Sequence, residues 1–217
     1  MTVLVILAKA PLPGRAKTRL CPPLSPTEAA EIAAGALADT FAVAQQCRCF
    51  SRIVAVFDGQ RAPWVPEQID VISQVDGGLD RRLAAAFTDV NSRYGEPIVL
   101  IAMDTPHVGA ADLDAAATAL ITHDATFGPA DDGGFWLIGM RTYSRNMYEQ
   151  VFLGVPMSIA DTGAAQLARL HAAGLSVATL RGLQDIDTVD DVAAVAAAFP
   201  NLQVSKRWNA LVSKAGA

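Results

Sequence analysis

The chain has 217 residues, 52% of them apolar, and a formal net charge of −5. That size and composition fit one large domain over residues 1–217 with a sizeable core, and the acidic balance argues against a general nucleic-acid binder. No apolar run approaches the roughly 20 residues of a bilayer span, no basic segment precedes the first apolar run, and the three cysteines are odd in number. These features point to a cytoplasmic protein rather than a secreted, disulfide-held one.

Val3 to Ala8 is a continuous apolar run, as in a strand covered on both faces. It leads into Lys9-Ala-Pro-Leu-Pro-Gly-Arg-Ala-Lys-Thr-Arg-Leu20. This stretch carries four cations, Lys9, Arg15, Lys17 and Arg19, and no acid appears before Glu28. Its prolines and Gly14 predict irregular structure. A cationic, glycine-containing loop between a strand and a helix is a common cradle for phosphate oxygens, although a solvated surface loop has similar composition. Ser25-Pro26-Thr27-Glu28 then reads as a capping box opening a helix that runs to about Gln46.

Strands are predicted at Ile53 to Phe57 and Asp70 to Gln74, and Asp76-Gly77-Gly78 turns into a helix from Leu79 to Tyr94. Pro97 to Met103 is another apolar strand, and it stops at Asp104. A helix follows over Ala110 to Ile121, then a strand from Ala125, a tight turn through Asp131-Asp132-Gly133-Gly134, and a returning strand over Phe135 to Met140. Shorter helices are expected at Tyr143 to Val151 and, with Asp161 as N-cap, to Ala173. Ser176 to Leu180 is a strand, Val189 to Phe199 the last patterned helix, and residues 200–217 a weakly patterned tail. Alternating strands and helices predict a three-layer α/β/α sandwich with a mostly parallel, mixed central sheet.

In such sheets ligands gather at the carboxyl ends of strands. Asp104 sits there: an unpaired carboxylate after a buried strand needs a cation, which Mg²⁺, Mn²⁺ or a basic side chain supplies, unless it caps a helix. Asp132, Gly133 and Gly134 make either a ligand contact or a simple turn. In Asp185-Ile-Asp187-Thr188, Thr188 or Asp187 caps the following helix. Two strand-end aspartates opposite a basic loop fit a metal–diphosphate site. Gly14 to Thr18 lacks the glycines of a Walker-type loop, no G-x-G-x-x-G follows the first strand, and no G-x-S-x-G occurs.

The chain resembles the nucleotide-diphospho-sugar transferase superfamily, the GT-A fold, and within it a bacterial glycosyltransferase-like group related to 2-phospholactate guanylyltransferase. The likeness rests on AKAPLPGRAKTRL at 8–20, GGLDRRLAAAF at 77–87, IAMDTP at 101–106, GPADDGGFWLIGM at 128–140 and DIDT at 185–188. It implies that Lys9, Gly14, Arg15, Lys17 and Arg19 hold nucleotide phosphates. It places the metal on Asp104 and Asp187, and Asp132, Gly133 and Gly134 toward the sugar or acceptor, with Lys17 and Asp104 the catalytic pair. The partners implied are a nucleotide or nucleotide-sugar donor and a small-molecule acceptor, with Mg²⁺ or Mn²⁺ as cofactor. Glycosyl transfer comes first and nucleotidyl transfer from an NTP second. Met103, Asp80 and the stretch 155–162 depart from the group's pattern and leave a non-catalytic nucleotide-binding protein as a third reading. Asp104→Asn should weaken Mn²⁺-dependent nucleotide binding, and Asp124→Asn should not.

Overall fold

Strand β1, Thr2–Lys9, lies at the middle of the molecule because both of its faces are apolar. Val3, Val5 and Leu7 point into one core, and Leu4, Ile6 and Ala8 into the other. The computed structural model describes residues 1–61 and 63–215. Within it β1 pairs in parallel with β2 (Phe50–Asp58) on one side and β4 (Ile98–Ala102) on the other. Strands β3 (Asp70–Ser73), β5 (Ala125–Pro129), β6 (Phe135–Met140) and β7 (Val177–Thr179) complete a seven-stranded sheet of order β3-β2-β1-β4-β6-β5-β7. Only β6 runs against the others. The carboxyl ends of six strands and the β5–β6 turn therefore share one edge. The chain changes direction across the sheet between β1 and β4, where a crevice forms.

Helices cover both faces, as the alternation of elements requires. Helix α2 (Leu79–Tyr94), α4 (Arg145–Phe152) and α5 (Thr162–Ala172) pack on the face of Val5 and Leu7. Helix α1 (Pro26–Gln46) and α3 (Ala110–Ala119) pack on the face of Leu4 and Ile6. The three layers are those expected. The capping box at the start of α1 forms, with Glu28 N donating to Ser25 Oγ and Ser25 N to the Glu28 carboxylate. Asp161 stands at the N-cap of α5 but makes no side-chain cap bond; Thr162 Oγ1 instead accepts from Ile159 N at 3.1 Å.

Two local expectations are corrected. The basic loop is not wholly irregular: Thr18–Leu20 forms a single 3-10 turn, held by the burial of Leu20. The segment after Pro200 is not a fraying tail but helix α7, Gln203–Ala215. Val204, Trp208 and Leu211 recur at helical spacing and pack against α1 and α6 (Val189–Ala198). Asp39, buried on α1, accepts from Gln203 N at 2.8 Å and Val204 N at 2.9 Å, so one helix supplies the N-terminal cap of another. Gly35 permits the approach, since a Cβ there would lie 2.7 Å from Val204 Cα.

Asp124 immediately precedes β5, at the edge opposite the crevice. It accepts from Ser176 Oγ at 2.5 Å, Ser176 N at 3.0 Å and the Tyr143 hydroxyl at 3.1 Å, which hold its carboxyl below the usual range. A depressed carboxylate contributes stability that is present above its unfolded value near 3.9 and is lost as pH falls through its folded value. Thermal melts of Asp124→Asn should therefore show a lower Tm at pH 7 and a flatter decline below about pH 4 than the wild type. Parallel acid limbs in the two proteins would remove Asp124 from this role. Asp124 thus staples the fold, far from the ligand edge.

Candidate active site

The basic loop leaves β1 at Lys9, whose neighbour Ala10 donates its N–H to Asp58 O at the end of β2. Buried Ala16 roots the loop, and Lys17 then takes a left-handed backbone, φ 51° and ψ 38°. That conformation costs an L-residue about 1 kcal/mol and is tolerated where surroundings enforce it. Here it accompanies an inward side chain that is only 6% exposed. The Lys17 ammonium contacts Asp104 Oδ1, donates to Ile186 O, and lies 3.5 Å from Asp187 Oδ1. Arg19 donates to the other oxygen of Asp187 at 2.7 Å. Loop cations and strand-end carboxylates from three distant segments thus meet at one point.

Backbone pairing explains the convergence. Asp104 follows β4 by two residues, and its carbonyl accepts from Ile186 N at 2.9 Å, drawing the 185–187 segment to the β4 edge. Thr188, not Asp187, caps α6: Asp191 N donates to Thr188 Oγ1 and Thr188 N to Asp191 Oδ2. Asp187 is thereby left to face the cations. Asp185 lies beside them with Oδ1 buried and without a hydrogen-bond partner. Burial, then the charges of Asp132 and Asp104, push its carboxyl up to about 7.

A cavity of about 800 Å³ opens at this edge, a size that suits a nucleotide-scale ligand. Lys9, Lys17, Arg19, Asp104 and Asp187 all line it. So do Asp132, whose Oδ1 accepts from Gly134 N at 2.8 Å, and Gly134 itself. Three other residues of the sequence reading stand back from the cavity. Gly14, φ +73°, is at the loop apex with open space around it. Arg15 is 59% exposed and pairs with Asp58 at 3.4 Å. Gly133, φ +87°, is a packing point: a Cβ would sit 1.8 Å from Ala160 O, and Gly133 O accepts from Gly163 N at 2.7 Å. This contact fixes Ser158, Ile159 and Ala160 as a wall of the cavity. His107 stacks on Phe199, with ring centroids 5.1 Å apart.

Four contributors were not assigned from sequence: Asp185, Gln74, Arg82 and the 158–160 wall. Gln74 and Arg82 flank Gly77-Gly78, a glycine pair opening a helix at the ligand edge, which was the available signal. Ile159, 52% exposed, was signalled only by being a large apolar residue outside any predicted core.

The sheet order with its single reversed strand β6 is a fold that the chain shares with solved structures of other proteins. The chain belongs to the bacterial family described as "Uncharacterized protein conserved in bacteria (DUF2064)", whose model matches residues 36–159. Among solved structures it is similar to a candidate nucleotide-diphospho-sugar transferase from Desulfovibrio desulfuricans G20, with a TM-score of 0.86, 22% identity and coverage of 98% of this chain and 95% of that one. It is also similar to a CMP:2-keto-3-deoxy-manno-octonic acid synthetase complexed with CTP (TM-score 0.61, 13% identity, 92% and 98% covered). A third is Rv0371c of Mycobacterium tuberculosis H37Rv in complex with manganese (TM-score 0.55, 23% identity, 89% and 97% covered). At these identities the likeness is one of fold. No curated protein matches the chain. Among the described residues, no helix is long and apolar enough to cross a membrane.

Proposed function

We propose that this protein is a metal-dependent transferase acting on a nucleotide-sugar donor. The observation that carries the reading is the meeting of Lys17, Arg19, Asp104 and Asp187 in one cavity at the switch between β1 and β4. Five aspartates and four Lys or Arg side chains line that cavity, so it has no excess of positive charge for a bare pyrophosphate. A divalent cation resolves the mismatch.

The residues fit such an ion. Their donors are hard carboxylate oxygens, Asp104 and Asp187 already converge on one cation, and the buried Asp185 oxygen beside them lacks a partner. Among the described residues no three His, Cys, Asp or Glu side chains enclose a metal. Asp104 and Asp187 would hold Mg²⁺ or Mn²⁺ as a pair, leaving positions for phosphate oxygens and water, as Mg²⁺ sites commonly do. The bound ion would supply Lewis-acid neutralisation of the phosphates. Lys9, Lys17 and Arg19 hold the phosphate oxygens and stabilise charge on the departing group, a contribution that grows in a site shielded from water. The wall at 158–160 and the turn at 132–134 shape the space for the sugar or acceptor.

Nucleotidyl transfer is the second reading, favoured by the number of cations in the basic loop, which suits a triphosphate. Incubating the protein with common nucleotide sugars and NTPs, with Mg²⁺ or Mn²⁺ and candidate acceptors, separates the readings by product. Nucleoside diphosphate release from a sugar nucleotide supports the first; pyrophosphate release from an NTP supports the second. Tight binding without turnover of any donor would favour a non-catalytic nucleotide-binding protein.

A further inference from the structure

The cavity has a second end that the phosphate chemistry does not use. Across the sheet edge, Asp104 follows β4, Asp58 ends β2, and Gln74 follows β3. The order β2-β1-β4 puts the Asp58 end two strand spacings, about 10 Å, from the Asp104 end. Arg82, in the first turn of α2, is anchored there. Its Nε donates to Gly77 O at 3.0 Å, and its Nη1 to Asp58 Oδ2 at 3.1 Å and Gln74 Oε1 at 2.8 Å. Gln74 is fixed in turn, donating to Ala8 O at 2.7 Å and Val56 O at 3.0 Å. Nη2 of Arg82 makes no hydrogen bond among the described residues, and the side chain lines the cavity.

Two features say what this group is for. Asp58 offsets its charge, so Arg82 meets a ligand as a rigidly held Nη2 amino donor more than as a free cation. Apolar side chains line the same cavity: Leu79 and Leu83 of α2, with Leu7 and Leu100 from the sheet. Apolar walls around an oriented donor suit a flat heterocycle, whereas phosphates belong with Lys9, Lys17 and Arg19.

We propose that Arg82 reads the nucleobase of the donor through a base carbonyl oxygen, selecting guanine, uracil or cytosine nucleotides against adenine. This rests on the nucleotide-dependent reading given above. A guanidinium only donates, and the one amino group left free on Arg82, Nη2, matches a base carbonyl oxygen. Adenine has no carbonyl and presents an amino donor where those bases carry or flank one.

The test is competition binding of GTP, UTP, CTP and ATP, with Mn²⁺ present, to the wild type, Arg82→Lys and Arg82→Gln, with melting curves for each protein. The wild type should prefer at least one carbonyl-bearing nucleotide over ATP by about ten-fold. Both variants should keep their affinity for ATP and bring that ratio to within about two-fold. Arg82→Lys keeps the charge and so decides the matter should Arg82→Gln fold poorly. An equal loss for all four nucleotides, or a wild type that holds ATP as tightly as the best of the others, overturns the assignment to the base. A wild type that binds none of the four overturns the transferase reading and this inference with it.

Discussion

Lys17→Met should lose both stability and nucleotide affinity. The ammonium is 6% exposed and is the shared partner of Asp104, Asp187 and the Ile186 carbonyl. Removing one member of a buried charge cluster leaves the others uncompensated, at a cost of 3–5 kcal/mol when fully buried, and here about 2 kcal/mol because Asp104 is 41% exposed and partly screened. For a chain of this length that is a fall in Tm of about 4–8 °C. In the ligand complex the same change deletes a charge-assisted bond to phosphate worth about 2 kcal/mol, or about thirty-fold in Kd. Calorimetric titration with NTPs and nucleotide sugars, next to melting curves, reads both effects. Unchanged affinity in a folded variant would assign Lys17 to structure alone.

The second large effect is expected from backbone packing rather than charge. Gly133→Ala should destabilise the protein by about 3 kcal/mol or more and weaken binding of the sugar or acceptor part. The added methyl meets Ala160 O at 1.8 Å, and the position has φ +87°, which an L-residue adopts only with strain. Backbone on both sides leaves no flexible side chain to yield. The 158–160 wall would have to move away from the 133–134 turn, breaking the Gly163 N to Gly133 O bond. Hydrogen exchange of the Gly163 amide should accelerate in the variant. Protection equal to wild type, with an unchanged Tm, would mean that the two loops are not locked together.

These two residues also show where the sequence is legible. Asp104 stood out because it ends an apolar strand at the edge where α/β sheets bind ligands, and Lys17 because it belongs to the cationic loop that follows another such strand. All seven strands follow from apolar runs, and six of the seven α-helices from helical spacing and caps. Asp187 came from the resemblance, and only the structure separates it from Thr188 as the cap of α6. What sequence did not tell is set by contacts between segments distant along the chain. Gly133 looks like a ligand-facing turn glycine until Ala160 is seen against it. Arg82 looks like one more charge on an amphipathic helix until Asp58 and Gln74 are seen to orient it. Helix α7 has only three spaced apolar residues, and its docking depends on Gly35 and on a cap from Asp39 of another helix.

The three departures from the related group's pattern take on structural meaning. Asp80 accepts from Gly154 N at 3.0 Å and ties the start of α2 to the loop between α4 and α5. Met103 is buried beneath the cavity, and the stretch after Val155 supplies the 158–160 wall. Met103 and the 158–160 wall thus line the cavity and Asp80 lies outside its lining, while ion pairs still link Lys17 to Asp104 and Asp187 and Arg19 to Asp187.

Titration of Mn²⁺ and a nucleotide, separately and together, into the wild type and Asp104→Asn tests the shared pocket most directly. The wild type should bind the nucleotide strongly only with the metal present, and Asp104→Asn should lose that enhancement while keeping its fold by melting curve. Nucleotide binding that ignores Mn²⁺, and that Asp104→Asn leaves intact, would contradict a metal-bridged diphosphate between the β1 loop and the β4 edge.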